Sequence, residues 1–255
     1  MKPLDWLEQL GQFSYFASRC FAALFAAFLN PRETIRQFYR VLIGALPIAL
    51  LAGLAIGLVL WMHLRGVIVR TPGAGPSALA YLPTAVALAV TLEFAPIGAG
   101  LIVAGRTGAS LGAELGSMRL TEQIDALEVM GLSSLRQLVG PRVLACVLTL
   151  PLLTVFMAVM AIGGAFAAEM IAGSLTSLQY EASTWAGLRI EDAVPAILKT
   201  SVFGFLIGVS GCYFGMKAHG GTEGVGHAST RGVELSTLLV LVSNVLLVRI
   251  IQLIV

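Results

Sequence analysis

The sequence predicts an all-α integral membrane protein, on the basis of its composition and of five long apolar segments. Of its 255 residues, 57% are hydrophobic and only 12% are charged, whereas soluble domains carry about 25% charged residues. Each apolar segment is near or above the roughly 20 residues that cross a bilayer as a helix. We therefore expect a single membrane domain over residues 1–255. A net charge of +2 without a polybasic tract gives no reason to expect nucleic-acid binding.

Residues 1–30 are predicted to form an amphipathic elbow helix that lies flat at the membrane interface. Apolar residues recur there at three- and four-residue steps, and many of them are aromatic. The alternative is a first helix packed inside the bundle. Asn30, Pro31 and Glu33 then form a helix-start pattern, with Asn as N-cap and Pro in the first position. A second helix should therefore begin at Pro31.

The transmembrane region is predicted to occupy residues 41–255. Its five spans cover residues 41–62, 77–105, 143–171, 193–216 and 235–255. With the N-terminus in the cytoplasm, most of the 16 Lys and Arg residues lie on the cytoplasmic side, which is the usual bias. Residues 174–192 then form the longer outer loop, and the glycine-rich residues 219–230 form a cytoplasmic loop.

Glu93 is the first candidate site residue, because it is a carboxylate inside an otherwise apolar run. A charged group at membrane depth is costly and usually faces a cavity, a partner or a substrate path. We expect Glu93 to mark the polar end of a substrate site, together with Leu92, Phe94 and Pro96. Since Leu92 supplies no neighbouring cation, water or the headgroup of a lipid is the expected partner of the carboxylate.

A structural role for Glu93 is the alternative. The carboxylate would then pair with a polar group of another helix, and the candidates within the spans are Lys199, Glu169 and Arg249. Of these, Glu169 lies near a predicted membrane edge, so we expect it to be hydrated.

Residues 120–130 are predicted to form a short amphipathic helix on the cytoplasmic side. At 100° per residue, one arc of this helix is acidic and the opposite arc is apolar. Anionic lipid would repel the acidic arc, so docking to a basic groove of a partner protein fits better than lying on the membrane. The acidic arc holds Glu122, Asp125 and Glu128, and the apolar arc holds Leu120, Ile124, Leu127 and Met130.

Small residues form three motifs with the spacing that lets membrane helices approach closely. We interpret them as packing within one subunit, with a subunit interface as the alternative. The motifs are Gly53 with Gly57, Gly204 with Gly208, and Gly108 with Gly112 and Gly116. The three cysteines, Cys20, Cys146 and Cys212, are far apart in apolar sequence and are predicted to be buried and inert.

The chain carries no nucleotide-binding motif. The pattern GxxxxGK[ST] does not occur, and His219 and His227 in the glycine-rich segment are too few for a zinc site. We therefore predict no catalytic residue, no metal site and no cofactor.

With these features in place, the chain resembles the MlaE/YrbE family of permeases. The likeness is strongest over residues 93–131 with Pro141 and Arg142, and again over 220–230. The resemblance implies a permease subunit of an ABC transporter that moves phospholipids or related lipids, in the inner membrane of a bacterium. Family members often have Arg-Glu-Leu-Gly-Pro where this chain has Leu92, Glu93, Phe94, Ala95 and Pro96.

The resemblance also implies an assembly. Two permease copies form a homodimer, two copies of a cytoplasmic ATPase bind and hydrolyse ATP, and a hexamer of MCE-domain subunits lies on the far side. Residues 120–130 would be the coupling helix that the ATPase receives.

Two other functions remain open from the residues themselves. An ion-coupled secondary transporter would use Glu93 as a proton carrier. A non-transporting membrane scaffold would leave both Glu93 and the acidic helix unexplained.

Overall fold

The computed structural model describes residues 3–27, 30–72 and 76–254, and these residues form helices without any β-strand. The prediction of an all-α protein is confirmed. The helices are α1 Pro3–Ala27, α2 Pro31–Arg70, α3 Pro76–Ala80, α4 Leu82–Ala89, α5 Ala95–Val103, α6 Ala109–Leu120, α7 Gln123–Val129, α8 Gly140–Ala172, α9 Ser177–Gly187, α10 Ile190–Met216 and α11 Gly221–Ile254. Three single π-helical turns, Val90–Phe94, Ala104–Gly108 and Leu135–Val139, continue the helices around them.

Five helical segments of the described chain are long and apolar enough to span a membrane, as predicted. They are Pro31–Arg70, Ala78–Leu120, Leu135–Ala172, Ile190–Met216 and Gly221–Leu253. Five of their ten ends lie eight or more residues outside the predicted limits, and the other five agree within three residues. Polar residues add helical turns beyond the apolar cores, because the i→i−4 hydrogen bonds of a helix form within its own backbone whether the side chains are polar or apolar.

Two predicted loops contain helix. The glycine-rich segment 219–230 was expected to be a loop, but α11 begins at Gly221, so His227 is helical. Residues 217–220 connect α10 to α11, and Gly220 and Gly221 have positive φ angles of 89° and 74° at this turn. In the predicted outer loop 174–192, Thr176 and Gln179 form a capping box that starts α9.

Helix α1 packs along one side and exposes aromatic rings along another. A Cβ on Gly140 would lie 2.7 Å from the carbonyl oxygen of Ala23, so this end of α8 meets α1 closely. Tyr15, Phe21 and Phe25 are exposed. Residues 1, 2, 28 and 29 of the predicted elbow segment lie outside the described residues. The second helix begins at Pro31, as the sequence predicts.

The described chain divides into two compact units. The first comprises Met1–Gly44, Gly100–Leu150 and Ser201–Ser243, and the second comprises Ala45–Ala99, Pro151–Thr200 and Asn244–Val255.

In the first unit, glycines bring α6 into backbone contact with α11, and α10 into backbone contact with α8. A Cβ on Gly112 would lie 2.9 Å from the carbonyl oxygen of Ala228, and one on Gly204 would lie 2.5 Å from that of Cys146. The hydroxyl of Ser229 in α11 donates to the carbonyl oxygen of Ala109 in α6 at 3.0 Å. These motifs therefore serve packing within the chain.

In the second unit, the motif of Gly53 and Gly57 also packs against a neighbouring helix of the same chain. A Cβ on Gly53 of α2 would lie 2.5 Å from the carbonyl oxygen of Met157 in α8. Gly57, one turn further along α2, approaches Ala161 of α8 in the same way. The prediction of packing within one subunit is confirmed for all three motifs, and the interface alternative is wrong for these faces.

The cysteines are free and buried, as predicted. Burial raises the pKa of the Cys20 thiol to about 12. Since the thiolate is the reactive form, this cysteine has little nucleophilic character at neutral pH.

Candidate functional site

Glu93 lies on a π-helical turn, Val90–Phe94, within the second membrane span. Such turns insert one extra residue into a helix and occur frequently at functional sites. The Glu93 Oε1 atom accepts from Lys199 Nζ at 3.1 Å, and its Oε2 atom accepts from Asn244 Nδ2 at 3.1 Å. Three spans thus contribute to one polar cluster.

Lys199 is the buried member of this cluster. Its side chain is 2% exposed, whereas that of Glu93 is 38% exposed. Lys199 Nζ also donates to the carbonyl oxygen of Leu92 at 2.7 Å. The ammonium group therefore has two anchors inside the protein, and the carboxylate forms the accessible side of the pair.

The expected partner of Glu93 needs correction. We expected water or a lipid headgroup because Leu92 is not a cation, but Lys199 of α10 supplies the cation instead. The pairing named as the structural alternative is therefore present. Sequence spacing could not reveal it, since Lys199 lies 106 residues away along the chain.

Asn244 is a site residue that sequence reasoning missed. It is buried, and its Oδ1 atom has no hydrogen-bond partner among the described residues. A buried acceptor without a donor is unfavourable. The cluster therefore has capacity for a further donor beside Glu93.

An apolar groove of about 370 Å³ lies next to this cluster. Phe94 lines it together with one face of α2. The contributing residues of α2 are Ala55, Ile56, Val59, Leu60 and His63. Pro96 is buried in α5 and is absent from this lining. Of the predicted site residues, Phe94 lines the groove, whereas Glu93 contributes its side chain and Leu92 its carbonyl oxygen to the neighbouring polar cluster.

A second carboxylate, Glu169 of α8, is 1% exposed. It accepts from Trp61 Nε1 at 2.8 Å and from the backbone N–H of Leu175 at 3.0 Å. The expectation of a hydrated group at the membrane edge is therefore wrong. The segment after α8 folds back over the carboxylate, and Arg65 adds to this cover by donating to Ser174 Oγ at 2.8 Å.

Tyr180 of α9 packs near the same carboxylate. Burial and the charge of Glu169 together raise the pKa of the Tyr180 phenol to about 12. The phenol is therefore neutral at physiological pH.

The predicted coupling helix of residues 120–130 is shorter in the structure. Leu120 ends α6, Glu122 adopts a left-handed backbone at φ 58°, and α7 runs from Gln123 to Val129. A non-glycine residue with positive φ is uncommon and breaks the helix direction. A sharp turn therefore separates Leu120 from the helix to which it was assigned.

The acidic arc of this segment is partly satisfied within the chain. Asp125 forms an ion pair with Arg119, and Glu128 accepts from Ser134 Oγ at 2.9 Å. Glu122 has no side-chain hydrogen bond or ion pair to another described residue. Only part of the acidic arc is therefore free to meet a partner.

The apolar arc is divided as well. Ile124 is fully buried and Leu127 is half-buried, whereas Met130 is 64% exposed. Val129 is 89% exposed, and sequence reasoning missed it. At 100° per residue it falls about 20° from Glu122, so its position within the acidic arc concealed it. The accessible surface of α7 therefore combines Glu122 with Val129 and Met130.

The chain is similar to known membrane permeases along nearly its whole length. Residues 34–250 match the family model described as Permease MlaE. A probable ABC transporter permease protein of Rickettsia bellii is 34% identical over 240 residues, which cover 94% of this chain and 91% of the relative. A second from Rickettsia prowazekii is 33% identical over 244 residues, covering 96% and 92%. A third from Synechocystis is 28% identical over 239 residues, covering 94% and 89%.

Proposed function

This chain belongs to the MlaE permease family, and we propose that it is the membrane subunit of an ABC transporter that moves phospholipids or related lipids between membranes. ATP hydrolysis would take place on a separate partner subunit. The relatives carry the name probable ABC transporter permease, and this chain contains no Walker A sequence of its own.

The observation that carries the proposal is a polar cluster beside an apolar groove. Glu93, Lys199 and Asn244 supply an accessible carboxylate, a buried ammonium group and a free acceptor. Phe94 and α2 supply the apolar wall. A lipid has the matching parts, because its headgroup is polar and each buried CH₂ of its chains contributes about 0.8 kcal/mol.

We place the ATPase contact at α7. The exposed Val129 and Met130 offer an apolar contact, and Glu122 offers a charge. Interfaces gain most from desolvated apolar anchors, whereas charges at the rim set the register and the association rate. Nucleotide-driven closure of two ATPase copies would then move α7 and bias the permease between two states.

The proposed assembly contains two permease copies, two ATPases and a hexamer of MCE-domain subunits in the inner membrane of a bacterium. The spans Pro31–Arg70 and Gly221–Leu253 are the least buried of the five candidates. Their apolar faces are available to lipid or to the second copy. We place the N-terminus in the cytoplasm because this orientation puts most of the Lys and Arg residues on the cytoplasmic side.

Reconstitution tests the energy source. Purified permease alone should show no ATP-driven lipid movement, and adding a partner with an intact Walker A lysine should restore it. A partner with that lysine replaced serves as the control. Lipid movement that follows a proton gradient without the partner would favour the ion-coupled alternative, with Glu93 as the carrier.

Photo-crosslinkers at Leu92, Glu93 and Phe94 test the substrate site in the same complex. We expect lipid adducts at one or more of these positions during turnover. Failure to capture lipid at all three in an active complex would remove Glu93 from the substrate path.

Two substitutions separate the contributions to ATPase docking. Val129→Asp should abolish association with the ATPase, and Glu122→Lys should weaken it, while the permease remains inserted. Asp125→Asn is the matched control, because Asp125 is already engaged by Arg119. Normal co-purification of the ATPase with both Val129→Asp and Glu122→Lys would show that α7 is not the docking element.

A further inference from the structure

A larger cavity, of about 810 Å³, lies within the first unit and shares no lining residue with the Glu93 cluster. Three elements form its walls, namely α1, the end of α10 with the residues after it, and α11. None of the functions assigned above uses it.

The wall formed by α11 changes character along its length. The lining residues recur at three- and four-residue steps, so they occupy one face of the helix. His227 and Arg231 come first, and Leu235, Leu238 and Leu239 follow. Along this face of α11, the side chains that line the cavity are therefore basic at the N-terminal end and apolar further along the helix.

The polar end carries a net positive charge. Arg231 is exposed and has no hydrogen bond or ion pair to another described residue. Lys217 is held by neutral groups, since its Nζ atom donates to the Tyr213 hydroxyl at 2.8 Å and to Gln12. Glu8 is the single carboxylate among the lining residues. The cavity lining therefore contains two permanently charged cations, Arg231 and Lys217, and one anion, Glu8.

The apolar end is fit for an acyl chain. From Arg231 to Leu239, eight residues at 1.5 Å per residue cover about 12 Å along α11. One leaflet contributes about half of the roughly 30 Å hydrocarbon thickness. The stretch from the cationic Arg231 to the end of the leucine face therefore covers most of the depth of one leaflet, and the leucine face itself, from Leu235 to Leu239, covers about 6 Å of it. Leu10 and Phe13 of α1 add apolar surface opposite it.

We propose that this cavity is a second lipid site, in which Arg231 and Lys217 bind the phosphate of a phospholipid and the leucine face of α11 holds its acyl chains. A free phosphate ion would satisfy the cations but would leave the leucines without a partner, so a phospholipid matches both ends. Binding here does not require transport. A role in loading or releasing the transported lipid rests on the proposed function.

The experiment uses the permease–ATPase complex in vesicles with equal amounts of phosphatidylglycerol and a phosphate-free galactolipid of matched chains. A photo-crosslinker replaces Leu238, which lines the cavity, or Leu246, which lies on the same helix outside it. Both leucines are similarly exposed, at 60% and 59%. Mass spectrometry measures the ratio of the two lipid adducts at each position.

We expect phosphatidylglycerol to be enriched about two- to fivefold at Leu238, the range that about 0.4–1 kcal/mol of exposed charge interaction produces. At Leu246 the ratio should match the vesicle. Arg231→Gln should return the ratio at Leu238 to that of the vesicle, and Arg231→Lys should retain much of the enrichment. Arg249→Gln, on the same helix but outside the cavity lining, should change nothing.

Equal adduct ratios at Leu238 and Leu246 would overturn the inference. So would a crosslink from Leu238 to a second copy of the chain or to the ATPase, because protein would then fill the cavity. ATP-driven transport and lipid capture at Phe94 are measured in the same preparation. An active complex without enrichment at Leu238 defeats this inference alone, and enrichment at Leu238 in a complex that moves no lipid defeats the proposed function alone.

Discussion

Glu93 and Glu169 are both carboxylates within apolar spans of the second unit, yet their surroundings differ. Glu93 is 38% exposed and shares its charge with a buried lysine beside an apolar groove. Glu169 is 1% exposed and accepts from an indole and a backbone N–H. The side chain of Glu93 is partly accessible and lies next to the groove residue Phe94, whereas Glu169 is enclosed by the chain.

A carboxylate at membrane depth therefore does not by itself identify a substrate path. Such residues mark functional sites by default, but buried polar groups also hold segments together when their hydrogen bonds are satisfied. Access decides between the two roles. Glu169 fastens the segment after α8 to Trp61, whereas Glu93 retains an open side.

The largest expected effect tests the enclosed carboxylate. Glu169→Leu leaves the Trp61 and Leu175 N–H groups without an acceptor, and each buried unpaired donor costs about 1–3 kcal/mol. We therefore expect the free energy of unfolding to fall by about 2–6 kcal/mol, seen as a lower melting temperature in detergent. Glu169→Gln, which keeps one acceptor oxygen, should lose less. A normal melting temperature together with loss of transport in Glu169→Leu would place Glu169 in the substrate path. The two carboxylates would then not differ in role.

The next effect concerns the Glu93 and Lys199 pair. Glu93→Leu leaves a buried ammonium group with only the Leu92 carbonyl oxygen. Breaking a fully buried pair costs about 3–5 kcal/mol, and the exposure of Glu93 reduces that to about 1–2 kcal/mol. Both the melting temperature and lipid transport should fall. Glu93→Gln should have the smaller effect on both.

The double variant Glu93→Leu with Lys199→Met separates structure from function. It removes both charges, so the melting temperature should return toward that of the unchanged protein. Transport should stay low if the pair contacts headgroups. Recovery of both stability and transport in the double variant would show that the pair is only a structural strut.

The smallest effect on stability is expected at the groove. Phe94→Ala removes an aromatic wall from a side chain that is already 46% exposed, so the loss in unfolding free energy should stay below about 1 kcal/mol. Lipid capture at Leu92 should nevertheless fall several-fold. Phe156→Ala is the matched control, because Phe156 is 40% exposed and is absent from the groove lining. Equal loss of capture in both variants would remove the groove from the site.

Much of the fold could be predicted because it depends on local sequence. The number of spans follows from apolar length, and the helix start at Pro31 follows from a pattern of four residues. The glycine-rich segment misled because glycine disfavours isolated helices. Here Gly112 packs against Ala228 and Ser229, and that tertiary contact outweighs the local propensity.

The candidate site was less predictable because its partners come from distant segments. Glu93 was identifiable as an isolated charge in an apolar run. Lys199 could be named only as one of several candidates, and Asn244 gave no signal at all. The π-helical turn that carries Glu93 depends on packing between helices, which periodicity does not register.

The backbone contact between α6 and α11 has a consequence for biogenesis. Ser229 and Ala109, which join these helices, lie 120 residues apart in the chain. Synthesis proceeds from the N-terminus, so the small-residue face of α6 has no α11 to pack against until α11 has left the ribosome. A chain truncated before α11 would present that bare face to the lipid and to quality-control proteases. Helix α11 therefore completes the packing of α6 in the first unit, and a chain without α11 leaves this contact unmade.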